Sequence, residues 1–170
     1  MRTYEIVKCQ GVNFFVEQGR TGVDMSALAE GVKDSRLNVC DVGFQIVEAC
    51  TGETLGIAKC VPVTSEGVFY AKLFSSGRYM RYAVGITGLK CNTVTFILKR
   101  DVRDNRSGFT VISCYWGNRT PMTPCDPRFE KQTEIDQANA RAFWRSHALV
   151  ADGVGYDRTT IAPNPPPGWE

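Results

Sequence analysis

Apolar and polar positions alternate most regularly in two runs, Asn92 to Arg100 and Gly108 to Trp116. Both are dominated by β-branched and aromatic residues, which suit a pleated, half-buried surface. The connector from Asp101 to Ser107 is charged and turn-rich, so the pattern predicts an antiparallel hairpin. The same reading predicts an opening hairpin, Thr3 to Lys8 and Val12 to Glu17, about Gln10-Gly11. It predicts another from Gly43 to Cys50 and Thr54 to Val61, about the short turn Thr51-Gly52-Glu53. Val68 to Phe74 resumes an extended pattern, and Arg78 to Val84 fits either a strand or a helical turn.

Helical spacing occurs twice. Met25, Leu28, Ala29 and Val32 follow a candidate N-cap at Asp24, which predicts a short helix over 24–33. A longer helix is expected from Lys131 to His147, with Ile135, Ala138 and Ala142 as its stripe and Phe143 beside it. Glu134 and Asp136 stand early in it and Arg141 and Arg145 late, as the helix dipole favours. Pro121, Pro124 and Pro127 make 117–128 a surface loop, because proline cannot serve a central strand. The expected fold class is therefore α+β: an antiparallel sheet built from hairpins, with a short N-terminal helix and one longer C-terminal helix packed on it. One domain would span 1–150, with N-terminal hairpins and short helix in 1–66 and the sheet and long helix in 67–150. A Gly- and Pro-rich tail would occupy 151–170.

Composition changes this picture little. At 170 residues, 43% hydrophobic and 22% charged, the chain can bury a core as an ordinary globular protein. No run approaches the roughly 18–20 apolar residues that span a bilayer. The opening Met-Arg-Thr-Tyr-Glu-Ile-Val lacks a secretory pattern, so a cytoplasmic location and no membrane partner are expected. Seven cysteines (Cys9, Cys40, Cys50, Cys60, Cys91, Cys114, Cys125) are scattered without a C-x-x-C pair. That spacing suits free thiols in a reducing compartment and gives no ground for a structural metal.

Charge changes more. Between Lys72 and Arg106 stand eight basic residues (Lys72, Arg78, Arg81, Lys90, Lys99, Arg100, Arg103, Arg106) against Asp101 and Asp104, in a chain whose net charge is only +2. Paired carboxylates for metal binding or acid/base work are absent from this stretch. No P-loop, G-x-G-x-x-G or G-x-S-x-G pattern occurs, and His147 is followed by Ala148-Leu149 rather than by the H-x-E of a zinc deaminase. No cofactor is expected.

A sheet carrying cations, tyrosines and hydroxyls suits phosphate. Lys72, Arg78, Arg81 and His147 are the candidate catalytic groups for a metal-independent attack by a ribose 2′-OH. Tyr70, Tyr79, Tyr82 and Tyr115 would offer faces to unpaired bases, and Thr95 and Ser113 would supply strand hydroxyls. Each has a plainer reading. Lys72 can extend its stem over apolar surface, His147 can cap a helix, and Thr95 and Ser113 suit any strand.

A resemblance enters through Val68-Phe-Tyr-Ala-Lys72, Arg78-Tyr-Met-Arg81-Tyr, Thr93-Val-Thr-Phe-Ile-Leu98, Thr110-Val-Ile-Ser-Cys-Tyr-Trp-Gly117 and Ala142-Phe-Trp-Arg-Ser-His147-Ala-Leu. This succession resembles the phage- and toxin-associated barnase, EndoU, colicin and RelE ribonuclease superfamily, over about Val68 to His147. The resemblance implies a curved antiparallel sheet with an RNA-cleaving concave face, on which Lys72, Arg78 and Arg81 would be the basic residues. It departs from the family pattern in its N-terminal hairpins and in lacking an upstream histidine, which leaves no general base assigned. The expected function is RNA binding, and whether metal-independent cleavage accompanies it stays open at this point. Two other readings stand beside it: a non-enzymatic phage or mobile-element protein gripping an acidic protein or a nucleic acid, and a small structural or assembly protein.

Overall fold

The computed structural model of the chain describes residues 3–9, 11–19, 43–64, 67–74 and 77–151. Eleven strands run among them: β1 (Tyr4–Cys9), β2 (Val12–Glu17), β3 (Phe44–Cys50), β4 (Gly56–Ala58), β5 (Cys60–Pro62) and β6 (Val68–Leu73), then β7 (Tyr79–Val84), β8 (Leu89–Cys91), β9 (Thr93–Arg103), β10 (Arg106–Trp116) and β11 (His147–Val150). A 3-10 turn over Phe129–Lys131 precedes the one α-helix described, α1 (Glu134–Arg145). The chain divides into two compact units built from interleaved segments. The first comprises Met1–Ala58 and Lys90–Arg119, and the second Lys59–Leu89 and Thr120–Glu170.

The first unit is organised on a five-stranded sheet in the order β1-β2-β10-β9-β3, with β4 and β8 forming a two-stranded sheet. Its centre is the β9–β10 hairpin, which closes on Asp104 and Asn105, both at positive φ as a two-residue hairpin turn requires. A register shift between Val111 and Ser113 marks a bulge. β2 joins β10 in parallel, Asn13 opposite Gly108. A Cβ on Gly108 would stand 2.2 Å from the Asn13 carbonyl oxygen, so only glycine lets the two backbones approach there. One face of the sheet buries Phe14, Val16, Ala49, Val94, Phe96, Leu98 and Val111 in one cluster.

The second unit carries a four-stranded sheet in the order β5-β11-β7-β6, in which β7 and β11 are parallel. Met80 on β7 packs with Phe129, Ala140 and Trp144, so the sheet meets α1 through that face. A separate cluster of Val61, Ala83, Ala148 and Val150 fills the space about β5, β7 and β11. Thr133 caps α1: its hydroxyl accepts from the Asp136 amide and donates to the Asp136 carboxylate at 2.7 Å.

These findings overturn the expected α+β architecture. Among the described residues 54% lie in strands and 12% are helical, arranged as three sheets with one α-helix. Parallel pairing enters two of the sheets, whereas only hairpins were expected. The short helix predicted over 24–33 and the tail beyond Ala151 lie outside the described residues. The hairpin predicted from Gly43 to Val61 does not form: β3 pairs with β9, β4 with β8, and β5 with β11. The stripe predicted on the long helix is also displaced. Ile135 is 72% exposed, and Ala140 and Trp144 are the buried positions. His147 does not end the helix but begins β11.

No helix among the described residues is long and apolar enough to cross a membrane. Cys50, Cys60, Cys91, Cys114 and Cys125 are free thiols. Burial in the α1-facing core pushes the Cys60 thiol up to about 11, which makes it a packing residue rather than a nucleophile.

Candidate nucleic-acid interface

Seven of the ten residues singled out from the sequence lie in the second unit. Tyr70 pairs with Tyr82 and Lys72 with Met80 across β6 and β7, so these four share one face. That face is the one meeting α1, since Met80 and Tyr82 belong to the core with Trp144. Burial, with Cys125 nearby, raises the Tyr82 hydroxyl pKa. The Lys72 ammonium lies 5.7 Å from the Phe74 ring centre. Arg81 pairs with Ala71 and Tyr79 with Leu73, which puts both on the opposite face. Lys72 and Arg81 therefore do not share a surface, and strand alternation alone separates them.

The cations themselves have internal partners. Arg81 is 2% exposed and donates from Nη1 to the Arg145 carbonyl oxygen at 2.7 Å, the last carbonyl of α1. Burial lowers its pKa, although an arginine remains charged. Arg78 donates to the Asp126 carbonyl oxygen at 3.0 Å and forms an ion pair with Glu130, which ties the proline-rich loop to the start of β7. The His147 ring stacks on Phe143 at 4.0 Å, and its Nδ1 lies 3.0 Å from the Phe143 carbonyl oxygen. The Ser146 hydroxyl lies 3.0 Å from the same nitrogen, so the Nδ1 edge of the ring is taken up by the residues that end α1.

Thr95, Ser113 and Tyr115 belong to the first unit. Thr95 is fully buried, and its hydroxyl donates to the Gly117 carbonyl oxygen at 2.7 Å, closing the end of the β9–β10 hairpin. Ser113 and Tyr115 are half-buried, with Tyr115 opposite Thr95.

A different set of cations gathers on the first unit's sheet. Directly paired residues point to the same side, so register alone defines this face. It carries Lys8 opposite Asn13, Arg103 opposite Arg106, Lys99 opposite Thr110, and Phe44 opposite Lys99. Lys8, Lys99 and Arg106 are exposed and Arg103 is half-buried. The Arg103 guanidinium lies 3.5 Å from the Tyr4 ring centre, close enough for a cation–π contact. β2 and β10 separate β1 from β9 in the sheet. The stack therefore requires the sheet to curl toward this side, over Phe15 and Thr110. Asp101 fixes the arrangement, pairing with Arg103 at 2.7 Å and accepting from the Thr110 hydroxyl at 2.6 Å.

The Thr110 hydrogen bond is the main cause holding the Asp101 carboxyl below its ordinary value. Partial burial opposes it, and the Val102 amide and Arg103 assist. A depressed carboxylate pKa stabilises the fold above the unfolded-state value of about 3.9, and that contribution is lost as pH falls through the folded value. Asp101→Asn should therefore be less stable than the parent at neutral pH, with the two thermal midpoints converging below about pH 4. A midpoint difference that is the same in acid and at neutrality would contradict this role.

The excess of Lys99, Arg100, Arg103 and Arg106 was legible in the sequence, but Tyr4, Lys8 and Phe44 were not identified as their companions. The signal existed only as register, since Lys8 and Phe44 stand far from the basic stretch along the chain. Comparison with family models, curated proteins and solved structures finds no match to this chain.

Proposed function

We propose that the protein binds RNA on the Lys8, Lys99, Arg103 and Arg106 face of the first unit and does not cleave it. The observation that supports this most is the presence of four cations from three strands on one sheet face, with Asp101 among them already paired and the face's other acids, Glu17 and Glu48, opposite Tyr4 and Thr95. Such a face neutralises a phosphate backbone without any demand for catalytic geometry. RNA rather than DNA rests on the sequence resemblance to the ribonuclease superfamily. Cleavage would need a base, an acid and a cation at one phosphate. The candidate cations Arg78 and Arg81 have carbonyl and carboxylate partners instead.

Fluorescence anisotropy with a labelled single-stranded RNA over a salt series tests the reading. Affinity should fall with salt, and Lys99→Ala with Arg106→Ala should reduce the log–log slope by about 1.4, at roughly 0.7 per phosphate contact on a single strand. A slope that is flat in the parent, or unaltered in the double variant, would remove this face as the binding site. The RNA should stay intact in EDTA. Cleavage that Lys72→Ala or His147→Ala abolishes would move the function to the second unit. Salt-reversible capture of an acidic protein, without RNA binding, would replace RNA as the partner.

A further inference from the structure

We infer that Phe44 is a base-stacking residue, which makes this face selective for unpaired over duplex RNA. The inference rests on the RNA-binding reading and deepens it. The chain has nine phenylalanines, all of them described, and Phe44 is the only exposed one. At 59% exposure it leaves most of its ring in water, an arrangement the hydrophobic effect opposes. Its setting is not arbitrary. Phe44 lies directly opposite Lys99 on the face shared with Arg103 and Arg106. Its backbone is fixed as well: the Arg100 amide donates to the Gly43 carbonyl oxygen at 2.8 Å, and β3 pairs with β9 along its full length. An exposed aromatic ring on a fixed strand beside a cation can receive the π-face of a base while the ammonium meets the adjoining phosphate. A duplex keeps its bases stacked within the helix, so only an unpaired strand supplies such a face.

The position also explains why the residue stands at the sheet margin. β3 is the edge strand of the five-stranded sheet, outside the Arg103–Tyr4 stack that crosses β2 and β10. A strand lying along this margin would place a base on Phe44 and the adjoining phosphate over Lys99. Charge complementarity favours this occupant over an apolar protein surface, because the ring lies opposite the Lys99 ammonium.

The test uses the full chain and one RNA sequence, prepared as a labelled single strand and as a duplex. Phe44→Ala should weaken single-strand binding about ten-fold, with duplex affinity and the salt slope unchanged. Phe44→Trp should retain affinity, and its added indole emission, taken against the parent protein, should be quenched by the single strand and not by the duplex. If Phe44→Ala binds the single strand as the parent does while the Lys99 and Arg106 variants weaken, the stacking role fails and the RNA-binding reading stands. If the parent binds neither RNA, that reading fails and takes the inference with it. A change in sedimentation on Phe44→Ala, with RNA affinity intact, would assign the ring to contact between copies of this chain and overturn stacking.

Discussion

Trp144→Ala should lower stability by about 3–5 kcal/mol, the range for deleting a buried tryptophan. Trp144 is fully buried at the centre of the second unit's core, among Met80, Phe129 and Ala140. The loss is compounded because the indole is also a hydrogen-bond donor. Its Nε1–H is shared between the carbonyl oxygens of Pro121 at 3.3 Å and Met122 at 3.2 Å, in a loop with little backbone pairing of its own. Phe143 meets the ring edge-on at 5.1 Å between centres, adding a directional aromatic contact. Trp144→Phe keeps much of the apolar volume but leaves both carbonyls without this donor. It should cost less, about 1–3 kcal/mol. Urea denaturation followed by circular dichroism reads both. A loss under about 1 kcal/mol for the alanine variant would mean that the core closes around the space, contrary to its dense packing.

What could be read from the sequence follows the range of the interactions involved. The β9–β10 hairpin was legible because alternation, turn chemistry and pairing are all local to 92–116. The Gly43–Val61 hairpin carried the same kind of local signal in Thr51-Gly52-Glu53, yet β3 pairs with β9 instead. Burying Ala49 and packing Val47 against Val94 and Phe96 decides that pairing, and no turn motif records it. The helix shows the reverse failure. Ile135, Ala138 and Ala142 fit a 3.6-residue period, but Trp144 anchors the buried side and rotates the helix, so that all three are exposed. For the site, net charge was visible and facing was not. Lys72 and Arg81 differ by an odd number in register across β6 and β7, and that parity sends them to opposite sides. Phe44 resembles any apolar strand residue until the sheet order shows that β3 is an edge.

Arg81 separates a phosphate-binding role from a structural one most sharply. Its guanidinium is buried and donates to the Arg145 carbonyl oxygen at the end of α1, where a helix leaves carbonyls without intrahelical partners and a cation suits the dipole. Arg81→Ala removes that donor and leaves a space in a buried site, so a loss of about 3 kcal/mol is expected. Arg81→Met should recover the packing share alone, because its stem is of similar length but offers no donor. Arg81→Lys keeps the charge without the planar fork, and its stability should fall between the parent and the alanine variant. RNA affinity of the folded Arg81→Lys protein should equal that of the parent, since a phosphate cannot reach a side chain 2% exposed. Weaker RNA binding at an unchanged thermal midpoint would return Arg81 to the substrate face. A lower midpoint with RNA affinity intact leaves it as the cation that fastens α1 to β7, and leaves the exposed cations of β1, β9 and β10 as the phosphate contacts.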